Sequence, residues 1–256
     1  MCFYHFQKKA FDYGCEIVCC FGNISFNFGI NNTVRVMVCY FLVFTDSMIK
    51  LKNVSIGYCG YAISSFLNHY FKLGSMTAVV GNNGSGKTTL LKTIAGKLPP
   101  VSGRIEFCVE NEFYTSYLAQ CPDIDRQFPI TVFDVVAMGC WPKIGLLSNI
   151  DYFQQKIIWD ALLQMKLIHL YHKNIAYLSG GEFQRVLFAR LLVQHASLIL
   201  LDEPFNNIDK QTCDLMMSII GKLNQQGCTI IMVVHSCYYI SKYFSDVLSL
   251  KNINEI

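Results

Sequence analysis

The chain has 256 residues, which is enough for one large domain or two small ones. Hydrophobic residues make up 52% of it and charged residues only 15%, so a large core is available, and the low charge favours a protein that covers part of its surface with a partner. The net charge of +3 is too small to indicate a nucleic-acid partner. The 12 cysteines lack zinc-ligand spacing, and in a domain of this size they indicate small core residues rather than disulfides.

Residues 1–47 differ from the rest of the chain, because they are rich in Phe, Tyr and Cys and show no clear helix or strand period. Their apolar stretch, residues 34–44, is shorter than the ~20 residues that span a bilayer. Three interpretations are open for this segment. It is not functional, and the true start is Met48; it is a membrane-associating extension; or it is an additional packed element. We favour the first, because the strand pattern of a recognisable domain opens directly at Met48.

A strand pattern covers residues 49–56, and a second apolar segment, residues 62–71, leads to the apolar run Met76–Val80, which predicts another strand. The next eight letters, GNNGSGKT, have the G-x-x-x-x-G-K-[ST] spacing of a phosphate-binding loop, and a helical pattern follows them. Glycines let the backbone aim its N–H groups at an oxyanion, and the helix start adds positive partial charge. We therefore predict a nucleotide site in which Lys87 reaches the terminal phosphates and Thr88 holds a magnesium ion. The alternative, a glycine-rich turn that binds nothing, does not account for the full spacing.

A turn at residues 99–103 separates the loop helix from strands predicted at residues 104–107 and 116–118, and Gln120 ends the second strand. Residues 123–177 have a different, helical character. One helix is predicted at about residues 132–138 and a longer one at 151–167, with a break between them at Trp141, Pro142 and Gly145. This stretch indicates a helical insertion into an α/β core.

The sequence LSGGE at residues 178–182 opens a helix that is predicted to run from 182 to 195. Ser179 and Glu182 have the spacing of a capping box, so a capped helix start is the simplest interpretation. The free N–H groups beside the two glycines also suit an anion.

Tyr58 also has two open interpretations. It is either a half-buried strand residue or a ring that stacks on a purine base.

A continuous apolar run at residues 198–201 predicts a buried parallel strand that ends in Asp202 and Glu203. Carboxylates at that end of a strand face the ligand crevice, where Asp202 can hold a magnesium hydration shell and Glu203 can polarise a water. Residues 229–234 predict another buried strand, which ends in His235, and residues 246–250 predict a last one. His235 is either a structural hydrogen-bond partner or a contact of the γ-phosphate.

These motifs occur together and in order, and over about residues 48–250 the chain resembles the ATPases of ABC transporters. Residues 81–88 resemble the Walker A motif, residues 198–203 the Walker B motif with the catalytic glutamate, and residues 178–182 the LSGGQ signature. Gln120 resembles the Q-loop residue, residues 205–209 the D-loop, His235 the switch histidine and Tyr58 the A-loop aromatic residue. Two departures are Glu182 in place of glutamine and Ser236 in place of the aspartate found in many relatives.

The resemblance implies an α/β fold with a P-loop NTPase core, an antiparallel β subdomain and a helical insertion at about residues 123–178, all within residues 48–256. It implies ATP hydrolysis with Mg²⁺ in a dimer whose two copies share each ATP. It also implies a separate multi-span membrane permease, an indirect role for an extracytoplasmic solute-binding protein, no nucleic acid, and a peripheral position on the cytoplasmic face of the inner (plasma) membrane.

The site residues carried over from the family are as follows. Catalysis is expected from Glu203, His235 and Gln120, and magnesium binding from Thr88, Gln120 and Asp202. ATP is expected to contact Tyr58, Gly81, Asn82, Asn83, Gly84, Ser85, Gly86, Lys87, Thr88 and Thr89 of one copy, and Ser179, Gly180, Gly181, Glu182 and Asp209 of the other.

The flank at residues 128–139 resembles that of manganese and zinc importer ATPases, so the predicted function is to energise a metal-ion importer. An iron-chelate or other small-solute importer is the nearest alternative. A soluble, non-transport ABC ATPase is an alternative of another class, but such proteins usually carry two cassettes or a long coiled coil, and this sequence shows neither. Intact Lys87, Asp202, Glu203 and His235 argue against a module that no longer hydrolyses ATP.

Overall fold

The computed structural model describes residues 16–28, 32–44, 47–108, 113–120, 124–145, 148–206, 208–234 and 237–251. Among the sequence-predicted positions, His235 and Ser236 lie outside the described residues, as does residue 207 of the D-loop. The described strands are β1 (Glu16–Phe28), β2 (Asn32–Phe44), β3 (Ser47–Ser55), β4 (Gly57–Tyr58), β5 (Tyr61–Ala62), β6 (Leu67–Lys72), β7 (Met76–Val80), β8 (Ser102–Phe107), β9 (Thr115–Leu118), β10 (Leu198–Asp202), β11 (Thr229–Val233) and β12 (Asp246–Ser249). The described α-helices are α1 (Lys87–Ile94), α2 (Val132–Ala137), α3 (Trp141–Ile144), α4 (Tyr152–Gln164), α5 (Gly180–Val193), α6 (Lys210–Gln225) and α7 (Cys237–Tyr243).

A parallel sheet with the strand order β12-β7-β11-β10-β9 forms the centre of the molecule. Its strands are buried on both faces: Leu200 and Ile231 join one apolar core, whereas Leu201 and Met232 join the other. This double burial explains why β10 and β11 read as continuous apolar runs rather than as alternating patterns. Because the strands are parallel, their carboxyl ends lie along one edge of the sheet, and the phosphate-binding loop follows β7 at that edge.

An antiparallel sheet with the order β6-β3-β8 covers one side of this centre. Ile49 of β3 and Phe71 of β6 are fully buried in the same core as Leu90 of α1, so the antiparallel sheet packs around the helix that follows the phosphate loop. A short hairpin of β4 and β5 follows β3. Its two turn residues, Cys59 and Gly60, have φ angles of 50° and 83°, the left-handed pair that a two-residue hairpin turn requires.

Helices α2 and α4 pack with α5 around the second core, in which Val132, Ile158 and Phe188 are fully buried. The ring of Trp159 lies between those of Phe133 and Tyr171, with centroid distances of 5.4 and 5.1 Å. Three 3-10 turns, Met138–Cys140, Ile168–Leu170 and Ile175–Tyr177, complete this region. No helix of the described residues is long and apolar enough to cross a membrane.

Several predicted elements agree with the structure. The strand Met76–Val80 has the predicted bounds, the runs at 198–201 and 229–234 are parallel strands, and the first helix of the insertion is α2. The two longer helices differ at their ends, since α4 covers Tyr152–Gln164 rather than 151–167 and α5 starts at Gly180 rather than at 182. Asp151 is the N-cap of α4 and Met165 is its C-cap, whereas Glu182 lies inside α5, whose N-cap is Ser179.

Other predictions were wrong. The expected break at residues 141–145 contains the short helix α3, which has a proline in its first turn and ends at Gly145, where φ is 85°. The apolar segment 62–71 is divided between β5 and β6. Residues 1–47, for which no period was recognised, contain β1 and β2, which pair with each other in an antiparallel register. The boundary between an extension and the domain at residue 48 stays a prediction.

Candidate active site

The phosphate-binding loop closes against the start of α1. Gly86 is the N-cap residue of α1 and has a φ of 94°, and no side chain caps the helix N–H groups there. A Cβ at this position would lie 3.0 Å from Ile56 Cδ1, so both conformation and space favour glycine. The buried Lys87 Nζ donates to the carbonyl oxygens of Gly81 (2.8 Å) and Asn82 (2.9 Å). The loop is therefore closed by its own lysine, beside a helix start whose N–H groups have no side-chain cap.

Asp202 lies at the carboxyl end of β10 and is fully buried. Its Oδ1 accepts a hydrogen bond from Thr88 Oγ1 at 3.1 Å, and its Oδ2 accepts one from Tyr117 OH at 3.3 Å. Burial raises the pKa of this carboxyl, whereas the two hydroxyl donors act in the opposite direction. The contact with Thr88 joins the phosphate loop to the end of β10.

Glu203 follows Asp202 directly and has a φ of 49°, in the left-handed region that a residue with a side chain rarely adopts. Its Oε2 accepts a hydrogen bond from Gln120 Nε2 at 2.8 Å. The same oxygen accepts one from Asn206 Nδ2. The predicted catalytic carboxylate of Glu203 is thus held by Gln120, which follows β9, and by Asn206, which lies in the turn after β10.

One cavity of about 660 Å³ brings together most of the ATP contacts that were predicted within one copy. It is lined by Tyr58, Ile63, Asn83, Gly84, Gly86, Lys87, Thr88, Thr89, Gln120, Glu203 and Asn206. Tyr58 contributes from the β4–β5 hairpin, and its hydroxyl accepts a hydrogen bond from Thr89 Oγ1 at 3.4 Å. Gly81, Asn82 and Ser85 belong to the same loop, although they do not line the cavity. The wall of the cavity therefore contains both an aromatic ring, that of Tyr58, and a carboxylate, that of Glu203.

The sequence LSGGE lies elsewhere, at the start of α5, and does not line this cavity. Ser179 Oγ accepts from the N–H of Glu182 at 3.3 Å, and Glu182 Oε2 accepts from the N–H of Ser179 at 2.8 Å, which is the predicted capping box. The hydrogen bond from the Ser179 N–H, together with the Ser179 side chain, holds the pKa of the Glu182 carboxyl below its usual value. Gly180 is exposed, and Asp209 lies beside Gly181, where a Cβ would be 3.5 Å from Asp209 Oδ2.

Two hydrogen bonds connect the start of α5 to residues that lie close in sequence to Gln120 and Glu203. Arg126, six positions after Gln120, donates to the carbonyl oxygen of Leu178, and its guanidinium lies 4.8 Å from the ring centroid of Phe183. Gln184 donates to the carbonyl oxygen of Pro204 at 3.1 Å. The helix that starts at the signature-like motif is therefore connected both to the Gln120 segment and to the turn after Glu203.

The sequence did not identify Tyr117, Ile63 or Asn206 as site residues. Tyr117 reaches Asp202 because β9 is the neighbour of β10, and a single sequence does not give the order of strands in a sheet. Asn206 reaches Glu203 because the chain turns back after Pro204, with a hydrogen bond of 3.3 Å from the Asn206 N–H to the Glu203 carbonyl. Proline at the second position of a turn was the available signal for that contact.

A parallel sheet, a glycine loop capped by a buried lysine, and a buried carboxylate at the end of a nearby strand define a P-loop nucleotide-binding protein. Comparison with known proteins identifies the family. The ABC transporter family matches residues 65–206. The manganese transport system ATP-binding protein MntB of Listeria monocytogenes is 38% identical over 181 residues, which cover 69% of this chain and 75% of the relative. The zinc transport system ATP-binding protein TroB of Treponema pallidum is 36% identical over 182 residues, with 69% and 68% covered.

Solved structures agree. An ABC transporter of the metal-chelate type, in an inward-facing conformation, is 28% identical with a TM-score of 0.71, and the match covers 80% of each chain. The dimeric ABC transporter cassette MJ0796 is 24% identical with a TM-score of 0.68, covering 80% of this chain and 94% of that one. The chain belongs to the ABC transporter family, and it is an ATPase with the ABC ATPase fold.

Proposed function

We propose that this chain is the subunit that binds and hydrolyses ATP in an importer for manganese or zinc ions. The observation that carries the proposal is the cavity that gathers the phosphate loop, Gln120 and Glu203. Relatives at 38% and 36% identity are ATP-binding proteins of manganese and zinc transport systems. The cavity supports the ATPase chemistry, and the relatives support the class of cargo.

ATP binding follows from the shape and donors of the cavity. The ring of Tyr58 suits the purine base, because stacking needs an apolar face and little else. The backbone N–H groups of residues 81–86 and of the start of α1 suit the phosphates. Lys87, whose Nζ now donates to two carbonyl oxygens of the loop, would exchange these for phosphate oxygens, which are stronger acceptors.

Magnesium fits the residues on the same wall. Thr88 and Asp202 present a hydroxyl and a carboxylate within 3.1 Å of each other, and Gln120 adds an amide that lines the same cavity. Oxygen donors of this kind are those that Mg²⁺ prefers, and burial without a full counter-charge raises the pKa of Asp202, which a cation would offset. When bound, Mg²⁺ would neutralise negative charge on the phosphate oxygens. Thr88, Gln120 and Asp202 are the residues we assign to it.

Hydrolysis is assigned to Glu203 as the base that accepts a proton from the attacking water. Its position at the edge of the cavity, one residue after the buried Asp202, supports this assignment. Gln120 contacts Glu203 directly and is assigned to sensing the bound nucleotide. His235 follows the end of β11 by sequence, and its contact with the γ-phosphate stays part of the proposal.

The working unit we propose is a dimer in which Ser179, Gly180, Gly181, Glu182 and Asp209 of one copy cover the ATP held by the other. Three features support it. The start of α5 is exposed, it lies outside the cavity of its own copy, and it carries helix N–H groups that suit a phosphate. The similar cassette MJ0796 has a dimeric structure. A shared site would explain why no residue of α5 lines the cavity in one copy.

The proposed dimer would change conformation as ATP binds and is hydrolysed, and the partner that receives this change is proposed to be a separate multi-span membrane permease. A solute-binding protein would act on that permease. The chain would then sit peripherally on the cytoplasmic face of the inner (plasma) membrane. Gln120 and the helical segment after it are the assigned route, because Arg126 connects that segment to the carbonyl of Leu178 just before the motif that covers ATP. A metal-chelate importer is the second candidate cargo class, and it is favoured by the similarity to a transporter of that type at 28% identity.

A deletion strain complemented with the natural chain or with Glu203→Gln tests the proposal. The natural chain should restore uptake of radioactive manganese or zinc, and E203Q should restore neither, because ATP still binds but turnover is nearly lost. The purified E203Q protein should also retain bound ATP in a dimer on size-exclusion chromatography. Normal ATP turnover by E203Q would reject the mechanism, and restored uptake of iron chelates alone would reject the proposed cargo while leaving the ATPase intact.

A further inference from the structure

We propose that Asn206 is a positioning residue for ATP hydrolysis, which holds the carboxylate of Glu203 in its working orientation. This inference deepens the proposed function and rests on the assignment of Glu203 as the base. Asn206 lies within residues 205–209, which resemble the D-loop, but that resemblance assigned it no individual role in the site. It nevertheless lines the ATP cavity and donates a hydrogen bond to Glu203 Oε2.

The turn after β10 explains why an amide is needed at this position. Glu203 adopts a φ of 49°, which costs conformational energy for a residue with a side chain. Asn206 offsets this cost through two contacts with the same residue. Its N–H donates to the Glu203 carbonyl at 3.3 Å, and its side-chain amide donates to the Glu203 carboxylate. One residue therefore fixes both the backbone and the side chain of the base.

The two donors on Glu203 Oε2 differ in what happens to them when nucleotide binds. Gln120 is exposed, lies two residues after the end of β9 and is assigned to the metal and nucleotide, so its hydrogen bond to Glu203 of 2.8 Å has to be exchanged. Asn206 lies only three residues from Glu203 in the same turn, and its contact needs no such exchange. Asn206 would then be the donor that keeps the carboxylate oriented while Gln120 changes partner.

An amide is also the group that suits this task. It donates a hydrogen bond without carrying a charge, so it restrains the carboxylate without pairing it as a lysine or arginine would. An aspartate of the same shape would present a like charge instead of a donor. The comparison of alanine, serine and aspartate at this position therefore separates hydrogen-bond donation from shape and from turn formation.

The test uses the full chain and steady-state ATPase kinetics. N206A should lower kcat by about tenfold, the usual effect of losing one hydrogen bond to a charged group, while KM and the Kd for ATP change little. Asn206→Ser should recover part of the loss because a hydroxyl can donate, and Asn206→Asp should be worse than N206A. Asn68→Ala is the matched control, since Asn68 on β6 pairs with Asn53 on β3 and neither residue lines the cavity, so this variant should leave kcat unchanged.

A double-mutant cycle with Glu203→Gln distinguishes positioning from a structural role. If Asn206 acts through Glu203, N206A should have no further effect on single-turnover hydrolysis in the E203Q protein. A tenfold effect that persists in E203Q, a kcat for Asn206→Asp equal to that of the natural chain, or a loss of kcat that follows a fall in Tm would overturn the proposal. An inactive E203Q with a fully active N206A would reject only the role of Asn206, whereas an active E203Q would reject the assignment of Glu203 itself.

Discussion

Asp202 is a carboxylate whose surroundings favour a bound cation. The side chain is fully buried, and burial raises its pKa because water no longer solvates the charge. Two hydroxyl donors, from Thr88 and Tyr117, replace part of that solvation. A carboxylate in such a place is costly unless a positive charge comes close to it, which is why a site for a divalent cation on the same wall is physically consistent.

Glu182 gives a residue-scale prediction about pH. Its carboxylate accepts from the Ser179 N–H at 2.8 Å, and this contact holds its pKa below the ordinary value of 4.5. A depressed pKa in the folded state stabilises the protein above the pKa of the unfolded chain, and this contribution is lost as the pH falls through the folded-state pKa. Near neutral pH, E182Q should therefore be less stable by about 0.5 kcal/mol, because its amide still caps the helix but carries no charge.

Urea unfolding of both proteins between neutral and acidic pH checks this prediction. The difference in free energy of unfolding should be constant well above pH 4.5 and should shrink as the solution becomes more acidic. Because E182Q keeps the capping geometry, it also controls for the loss of the cap itself. A difference that stays the same down to the lowest pH would show that the charge of Glu182 contributes nothing to the helix.

The residues that the sequence could predict are those whose roles follow from local spacing. Lys87 and Thr88 follow the glycine loop in a fixed pattern, and Asp202 ends a continuous apolar strand, so neither inference needs tertiary information. Tyr117 is different, because its contact with Asp202 depends on β9 lying next to β10. Asn206 depends on the turn that brings it back to Glu203. Contacts of this kind are set by the order of strands and by the geometry of turns, which one sequence does not provide.

At the scale of elements, the start of α4 gives the next prediction. Asp151 Oδ1 accepts from the Gln154 N–H at 2.9 Å, and Gln154 Oε1 accepts from the Asp151 N–H at 3.0 Å, so the helix begins with a capping box. D151A should lower the free energy of unfolding by about 1 kcal/mol. The Gln154 N–H loses its acceptor, and the reciprocal hydrogen bond to the residue 151 N–H is no longer held in place. D151N, which keeps an acceptor, should recover most of it.

Chemical denaturation followed by circular dichroism measures these differences. Asp160→Ala is the matched control, since it removes an exposed aspartate from the interior of the same helix and should change stability by less than about 0.5 kcal/mol. Neither D151A nor Asp160→Ala changes a residue that lines the ATP cavity, so both proteins should retain their affinity for nucleotide. Equal stability of D151A and the natural chain would mean that the packing of Ile158 and Leu162 alone determines where α4 begins.

Elements with strong periods were predictable, and elements with weak or mixed signals were not. The strand β7 has the predicted bounds because it is short, apolar and directly followed by a glycine loop. No element was assigned where α6 lies, although Met216, Met217 and Ile220 form its buried side and Asp209 caps it. The pairing of β1 with β2 was also unforeseen, because β1 mixes Phe, Cys, Gly and Asn residues without clean alternation, and a single sequence does not show which segment the apolar run of β2 pairs with.

The whole molecule places its recognition motifs at two separate locations. The phosphate loop, Gln120 and Glu203 surround the cavity, whereas the start of α5 lies outside it. Arg126 and Gln184 nevertheless connect α5 to the two segments that carry Gln120 and Glu203. We therefore expect a change at the nucleotide to alter the position of α5 through these hydrogen bonds, and in the proposed dimer α5 would in turn act on a nucleotide that another copy holds.

A mixture of two inactive variants tests whether the site is shared between copies. K87A removes the phosphate contact of its own copy, and Gly180→Asp places a carboxylate where the motif would meet the partner's phosphates. A Cβ at Gly180 meets no atom of the described residues within 4 Å, and an aspartate in the first turn of a helix is favourable, so this variant should fold normally. In a mixed dimer the phosphate loop of the G180D copy faces the intact motif of the K87A copy, which restores one of the two sites.

Equal amounts of the two variants should therefore recover about a quarter of the natural ATPase rate, because half of the dimers are mixed and each of these has one complete site. The rate should exceed the sum of the two proteins measured alone. K87A mixed with the double variant K87A/G180D is the matched control, since no arrangement of those copies completes a site. Recovery in the test mixture but not in the control would place the motif of α5 on the partner's nucleotide. If K87A and G180D are each inactive and their mixture stays inactive although mixed dimers form, each copy must use its own α5, and a shared site is wrong.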